Sequence, residues 1–175
     1  MALVARGYSV VAFDPAPALV ASMSEAARSL EPGALRAFCA SYDDLPEMPA
    51  PPLDLRREPP FDAAIIGWTS FSHLVTDAAR VHALREVGAL TRGPILLSYF
   101  GHELAAPESR SGVLRWLQRR ADRWGPASFT TGIGFSKLFT EEELRDVIAR
   151  AGLVVDVIDR DSSWPFAVVR GRQGG

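Results

Sequence analysis

The residues able to do chemistry fall at the ends of strand-like segments. Asp14 closes the apolar run Tyr8–Phe13, Ser41-Tyr42-Asp43 follow Leu35–Ala40, Trp68 to His73 lie at and just past the end of Phe61–Trp68, and Gly101-His102-Glu103 follow Ile95–Phe100. In open α/β sheets, ligands bind outside the carboxyl ends of the strands, and an acid ending the second strand can accept both hydrogen bonds of a ribose diol. Asp14 suits that role. The following Pro15-Ala16-Pro17 also suits an aspartate that merely caps a helix. His73, His102 and Glu103 are the groups placed to move a proton, and His73, directly after a strand, is the preferred general base. A histidine at a helix start also serves purely structural ends. His82 lies mid-helix and is set aside. Trp68 and Phe71 can wall a cationic ligand or simply pack. His102-Glu103 forms no metal motif, and no metal is expected.

These residues need a scaffold, and the chain alternates strand-like and helix-like segments, the pattern of an α/β fold with a mostly parallel sheet. Gly7 suits the end of a helix whose tail is Met1–Arg6. Residues 16–30 repeat Leu19, Val20, Met23, Ala26, Ala27 and Leu30 at helical spacing, ending at Pro32-Gly33. Residues 45–60 carry repeated prolines and read as a surface loop. Phe61–Trp68 reads as a buried central strand. A helix over 75–90 should turn Ala78, Val81, Leu84 and Val87 inward. A helix over 111–124 should bury Val113, Leu117, Ala121 and Trp124, with Arg115, Arg119, Arg120 and Arg123 on a solvated face. Thr140-Glu141-Glu142-Glu143 is a capping box opening a helix with Leu144, Val147, Ile148 and Ala151 inward. Val154–Ile158 and Phe166–Val169 are joined too briefly for a parallel crossover and should form an antiparallel hairpin.

Composition narrows the function. A net charge of −2 gives no general attraction to nucleic acid or anionic membrane. Cys39 is the single cysteine, which excludes a disulfide framework; its apolar neighbours suggest a buried thiol and fit a cytoplasmic setting. No run reaches the roughly 18 to 20 apolar residues a bilayer span needs. Lys137 is the only lysine among many arginines.

Five segments in order resemble the class I S-adenosylmethionine (SAM)-dependent methyltransferases. A-R-G-Y-S-V-V-A-F-D at 5–14 looks like the end of the family's first helix and its second strand; S-Y-D-D-L-P at 41–46 is similar to the segment bordering the adenine. F-D-A-A-I-I-G-W at 61–68 resembles the fourth strand. L-R-E-V-G-A-L-T-R-G-P-I-L-L-S at 84–98 resembles the next helix and the fifth strand, and L-F-T-E-E-E-L-R-D-V-I-A-R-A-G-L at 138–153 the late helix. The resemblance implies a Rossmann-like three-layer α/β sandwich with a terminal antiparallel hairpin. It implies SAM as cofactor and a small-molecule methyl acceptor. SAM contacts would come from Asp14, Ser41, Tyr42, Asp43, Gly67 and Trp68, substrate contacts from Phe71, His102 and Glu103, with His73 catalytic.

The family's G-x-G-x-G loop has no counterpart; Gly132-x-Gly134 comes too late in the chain. The expectation is therefore a single domain over 1–175 lacking its first strand, the natural protein being longer upstream, with a shortened relative as the alternative. Ser41 stands where the family often has an acid, and Asp43 can substitute. Two other readings compete. Asp14 could hold the ribose of NAD in an oxidoreductase, although no Tyr-x-x-x-Lys is present. A non-catalytic methyltransferase-like subunit would fit the absent glycine loop.

Overall fold

Val10–Asp14 forms the first strand, β1, because β-branched and aromatic side chains are concentrated there until Asp14-Pro15 stops it. A short 3-10 turn at Val4–Arg6 precedes it and closes on Gly7, whose φ of 86° only glycine adopts readily. The structure, a computed structural model, describes residues 2–45, 61–101, 134–162 and 164–171, and the backbone of 127–130. It divides into two compact units, Met1–Arg56 and Arg57–Gly175.

In the first unit, β1 pairs in parallel with β2 (Leu35–Cys39), Val10 opposite Leu35 and Asp14 opposite Cys39. Helix α1 (Pro17–Ala27) crosses between them, with proline in its first turn, where the missing N–H is no loss. The helical stripe is present, but no residue of α1 is fully buried and Leu19 is exposed. Within this unit two strands and one helix offer too little apolar surface to cover it. Cys39 also departs from expectation: it alternates outward next to the buried Phe38, so its thiol is exposed.

The second unit is built on a four-stranded sheet in the order β3 (Ala64–Ile66), β4 (Ile95–Ser98), β8 (Phe166–Gly171), β7 (Leu153–Asp159). β3 and β4 are parallel; β8 runs antiparallel to both β4 and β7. The terminal hairpin thus forms as expected, but the sheet is mixed rather than mostly parallel, because β8 inserts beside β4 and brings β7 with it. A register shift between Val155 and Val157 interrupts the β7–β8 ladder. A separate hairpin, β5 (Ala127–Thr130) with β6 (Gly134–Lys137), was not anticipated. β3 is shorter than expected and buried on one face only. Ile66 is inside and Ile65 is 54% exposed, so the buried central strand is corrected to a half-covered one. Among the described residues, β1 pairs only with β2 and β3 only with β4.

The helix expected at 75–90 forms as α3 (Asp77–Ala89); a short additional helix, α2 (Ser70–His73), precedes it, the two separated where Leu74 turns extended. Thr76 caps α3 by accepting the Ala79 N–H at 3.1 Å. Val81, Leu84 and Val87 face inward, but Ala78 is exposed and its place is taken by Arg80 and Ala83. Helix α4 (Glu141–Arg150) buries Leu144, Val147 and Ile148. With Ile95, Leu97, Tyr99, Ala167 and Val169 these form the core. The expected loop at 46–60 and helix at 111–124 lie outside the described residues. Among those described, no helix is long and apolar enough to cross a membrane.

The capping box is complete: Thr140 Oγ1 accepts the Glu143 N–H at 3.2 Å, and Glu143 Oε2 accepts the Thr140 N–H at 3.1 Å. Thr140→Ala should therefore destabilise the protein by about 1 kcal/mol, read by urea unfolding. No change would mean that tertiary packing alone holds the start of α4.

Candidate functional site

Each unit presents part of the expected residue set at the carboxyl edge of its own parallel strand pair. In the first unit, Asp14 ends β1 and the chain after β2 runs beside it, since the Ala40 N–H bonds to the Asp14 carbonyl at 3.2 Å. One carboxylate oxygen, Oδ1, accepts the Ala16 N–H at 2.8 Å, which is the turn role that the prolines suggested. The other oxygen takes no hydrogen bond among the described residues. Tyr42 packs edge-on against Phe13, ring centroids 5.5 Å apart, and Phe13 stacks on Phe38. Asp14 and residues 41–43 are thus brought together. Ser41 is more committed than expected: its N–H and hydroxyl both donate to Asp44 Oδ2, at 2.7 and 2.8 Å. The Ser41 backbone N–H, and then its hydroxyl, lower the Asp44 pKa against a small opposing effect of burial. Asp44 was not singled out in the sequence, although serine three residues before aspartate is a turn pattern.

In the second unit, the turn after β3 carries Gly67, Trp68, Thr69 and α2. Trp68 and Thr69 both have positive φ, 53° and 55°. Non-glycine residues in this region cost on the order of 1 to 3 kcal/mol each and tend to mark functional sites. The turn is held by Ser98 of β4, whose hydroxyl accepts the Thr69 N–H at 2.9 Å and donates to the Ile66 carbonyl at 3.2 Å. The Trp68 indole, 89% exposed, finds no cover within its unit. Phe71 is the reverse: at 0% exposure it stacks on Phe139, centroids 5.5 Å apart. The structure puts its ring in the core, not on a substrate face, because α2 turns it under the sheet.

His73 ends α2 half-buried. Its Nδ1 lies 2.7 Å from the Phe135 carbonyl and 3.3 Å from the Ser136 hydroxyl, and its ring meets Phe100 edge-on at 6.1 Å. Ser72 accepts the Phe100 N–H at 2.9 Å, tying α2 to the end of β4. Gly67, Trp68 and His73 therefore share one turn. His102 and Glu103 lie outside the described residues, as does Gly132.

Sequence reasoning missed a buried charge cluster. Arg80 (1% exposed) donates to Asp77 Oδ1 at 2.6 Å and to the Leu74 carbonyl, and Lys137 (3% exposed) donates to Glu143 Oε1 at 2.7 Å. Both cations lie over the Phe139 ring, at 5.3 and 5.7 Å. Burial pulls the Arg80 pKa down against the Asp77 hydrogen bond and charge. Beside it a cavity of about 300 Å³ is lined by Asp77, Lys137, Phe139, Glu143 and neighbours on α4. None of the site residues expected from the sequence lines it.

No family model and no curated protein matches the chain by sequence. Solved structures do match. The methyltransferase CcbJ from Streptomyces caelestis superposes over 98% of this chain and 78% of its own, with a TM-score of 0.67 at 12% identity. A SAM-dependent methyltransferase from Methanosarcina mazei aligns over 96% of this chain and 82% of its own, at 0.64 and 17%. An O-methyltransferase of neocarzinostatin biosynthesis, solved with S-adenosyl-L-homocysteine and 1,4-dihydroxy-2-naphthoic acid, aligns over 93% of this chain and 42% of its own, at 0.57 and 17%. At these identities the likeness establishes the fold, that of the class I SAM-dependent methyltransferases.

Two outcomes follow from the geometry. Trp68→Ala should change unfolding stability by less than about 0.5 kcal/mol, as for an exposed side chain; a loss of 2 kcal/mol or more would place the indole in the core. Burial raises the Glu143 pKa, but the Lys137 and Thr140 hydrogen bonds and the Lys137 charge outweigh it, and the net shift is downward. A lowered carboxyl pKa stabilises above the ordinary glutamate range, and that stability is lost as pH falls through the lowered value. The melting-temperature gap between wild type and Glu143→Gln should thus be widest near neutrality and close in acid. A gap constant down to pH 3 would show that the ion pair contributes nothing.

Proposed function

We propose that this chain is a methyltransferase that carries a methyl group from SAM to a small-molecule acceptor, with Asp14, Ser41, Tyr42, Asp43, Gly67 and Trp68 toward SAM and His73 toward the acceptor. The observation that carries the reading is the turn at 67–73. There an unshielded indole on strained backbone and a hydrogen-bonded imidazole share the carboxyl end of a parallel strand. The fold gives the reading its context, and the small-molecule complex of the neocarzinostatin-pathway enzyme suggests the acceptor class.

The residues fit SAM chemically. Asp14 keeps a carboxylate oxygen for ribose hydroxyls beside an aromatic pair formed by Phe13 and Tyr42. The Ser41 hydroxyl is engaged with Asp44, and Asp43 beside it adds a carboxylate that suits a polar adenine edge. The Trp68 face suits a sulfonium, since a ring quadrupole attracts cations. SAM, when bound, supplies a methyl group already activated on sulfur, so the chain's contribution is placement and, for a protic acceptor, removal of a proton. His73 supplies that base. Phe71 is left out of the substrate wall, and His102 and Glu103 remain candidates to border it.

A second reading has its own support. Ile65 and Trp68 are both exposed at the end of β3, which suits a non-catalytic subunit that docks a partner there. Calorimetric titration of the whole chain with SAM, S-adenosylhomocysteine and NAD separates the readings. Binding of the first two and not NAD supports methyl transfer, and binding of neither supports the docking subunit. Binding of NAD alone supports an oxidoreductase. Asp14→Ala should weaken SAM binding by roughly 1 to 3 kcal/mol, the scale of hydrogen bonds to a charged group. Unchanged affinity in a folded variant would remove Asp14 from the site.

A further inference from the structure

Nδ1 of His73 lies 2.7 Å from the Phe135 carbonyl. A carbonyl oxygen has no proton to give, so the proton in that contact belongs to Nδ1. A neutral imidazole carries only one N–H, and the hydrogen bond made by one ring nitrogen fixes the state of the other. Nε2 is then bare, with its lone pair directed away from β6. We propose that the Phe135–Ser136 segment of β6 holds His73 in the Nδ1–H tautomer so that Nε2 is the site's proton acceptor, with Ser136 as a positioning residue.

Three features of the surroundings support this. Ser136 is buried, and its hydroxyl lies 3.3 Å from Nδ1, near enough to share the same N–H as a second, weaker acceptor. The ring is gripped edge-on by Phe100, which is itself tied to α2 through the Ser72 hydroxyl. β6 is further anchored at Lys137, paired with Glu143, and the chain just beyond it at Phe139, which bridges to Gly101. The carbonyl that sets the tautomer is therefore not on a free loop tip. When Nε2 takes the acceptor's proton, the X–H bonding pair stays on the nucleophile. The new positive charge spreads to the Nδ1–H facing the two oxygens, and the proton later passes to water. The proton-transfer role rests on the methyltransferase reading; the tautomer does not.

The test is a two-bond proton–nitrogen correlation spectrum of the whole chain labelled with ¹⁵N-histidine, recorded where the rings are neutral, with His73 assigned by its loss in His73→Gln. The expected result is a protonated-type Nδ1 and an unprotonated-type Nε2. An Nε2–H pattern, or an equal mixture, overturns the proposal. In Ser136→Ala the minor tautomer should rise by at least several-fold, and Ser136→Thr should restore the wild-type pattern. An unchanged pattern in Ser136→Ala removes Ser136 from the positioning role. If the expected tautomer appears but SAM does not bind, the methyl-transfer reading falls while the held imidazole stands. If SAM binds but His73 carries its proton on Nε2, the reverse is true.

Discussion

The carboxyl end of β4 is the fixed point on which the second unit's candidate site depends. Ile95 and Leu97 are buried between a parallel neighbour on one side and an antiparallel one on the other, so the strand has little freedom to shift. From that anchored strand the Ser98 hydroxyl reaches to β3, bonding both the Ile66 carbonyl and the Thr69 N–H. The bond to Thr69 matters because Trp68 and Thr69 sit in backbone conformations that side chains disfavour. Without a fixed partner the turn would relax, and the indole and the imidazole would lose their common frame. Two residues on, the Phe100 N–H donates to the Ser72 hydroxyl, the Phe100 ring meets His73 near-perpendicularly, and Gly101 bridges to Phe139.

Phe139 links that frame to an energetically demanding feature. Two nearly inaccessible cations lie over its ring, and each is compensated by a carboxylate that is itself part-exposed, Asp77 for Arg80 and Glu143 for Lys137. Buried pairs of this kind give weak net stability but penalise their own disruption, because a lone buried charge is costly. The Arg80 guanidinium also takes the Leu74 carbonyl, at the break between α2 and α3. The break that separates His73 from α3 is thus tied to a buried charge whose hydrogen-bonded carboxylate, Asp77, opens α3. Glu143 does two things at once, capping α4 and neutralising Lys137. The start of α4 and the end of β6 are consequently fixed together.

Local signals carried the fold well. The Thr140 capping box, the short link before Phe166 and the Asp14-Pro15 stop all act within a few residues, and each formed as expected. What failed were inferences about which faces become covered. The near-continuous apolar run in Phe61–Trp68 could not reveal that Ile65 and Trp68 stay open, nor could the neighbours of Cys39 show that its thiol points outward. Burial depends on what packs across the element, which spacing does not encode. The β5–β6 hairpin has a signal in the sequence, two strand-like tetrapeptides separated by a short Gly-containing link, with Gly134 at positive φ. Arg80 replaced Ala78 on the inner side because a long cation with a carboxylate three residues before it can be buried, where a bare helical-wheel count places it outside.

For the candidate site the same division holds, with a sharper consequence. Sequence could place His73 just beyond a strand, because that depends on a contiguous stretch. It could not say which ring nitrogen is free, because the deciding carbonyl belongs to Phe135, 62 positions later in the chain. Position makes a residue a candidate; the tautomer decides whether it can accept a proton from the right side. Phe71 makes the complementary point. It lies two residues from His73 on the same short helix, and the turn that presents the imidazole drives the phenyl ring into the core against Phe139. One helical turn of backbone thus divides its side chains between a half-buried, hydrogen-bonded imidazole and a core ring, and the partners contributed by β4 and β6 determine which goes where.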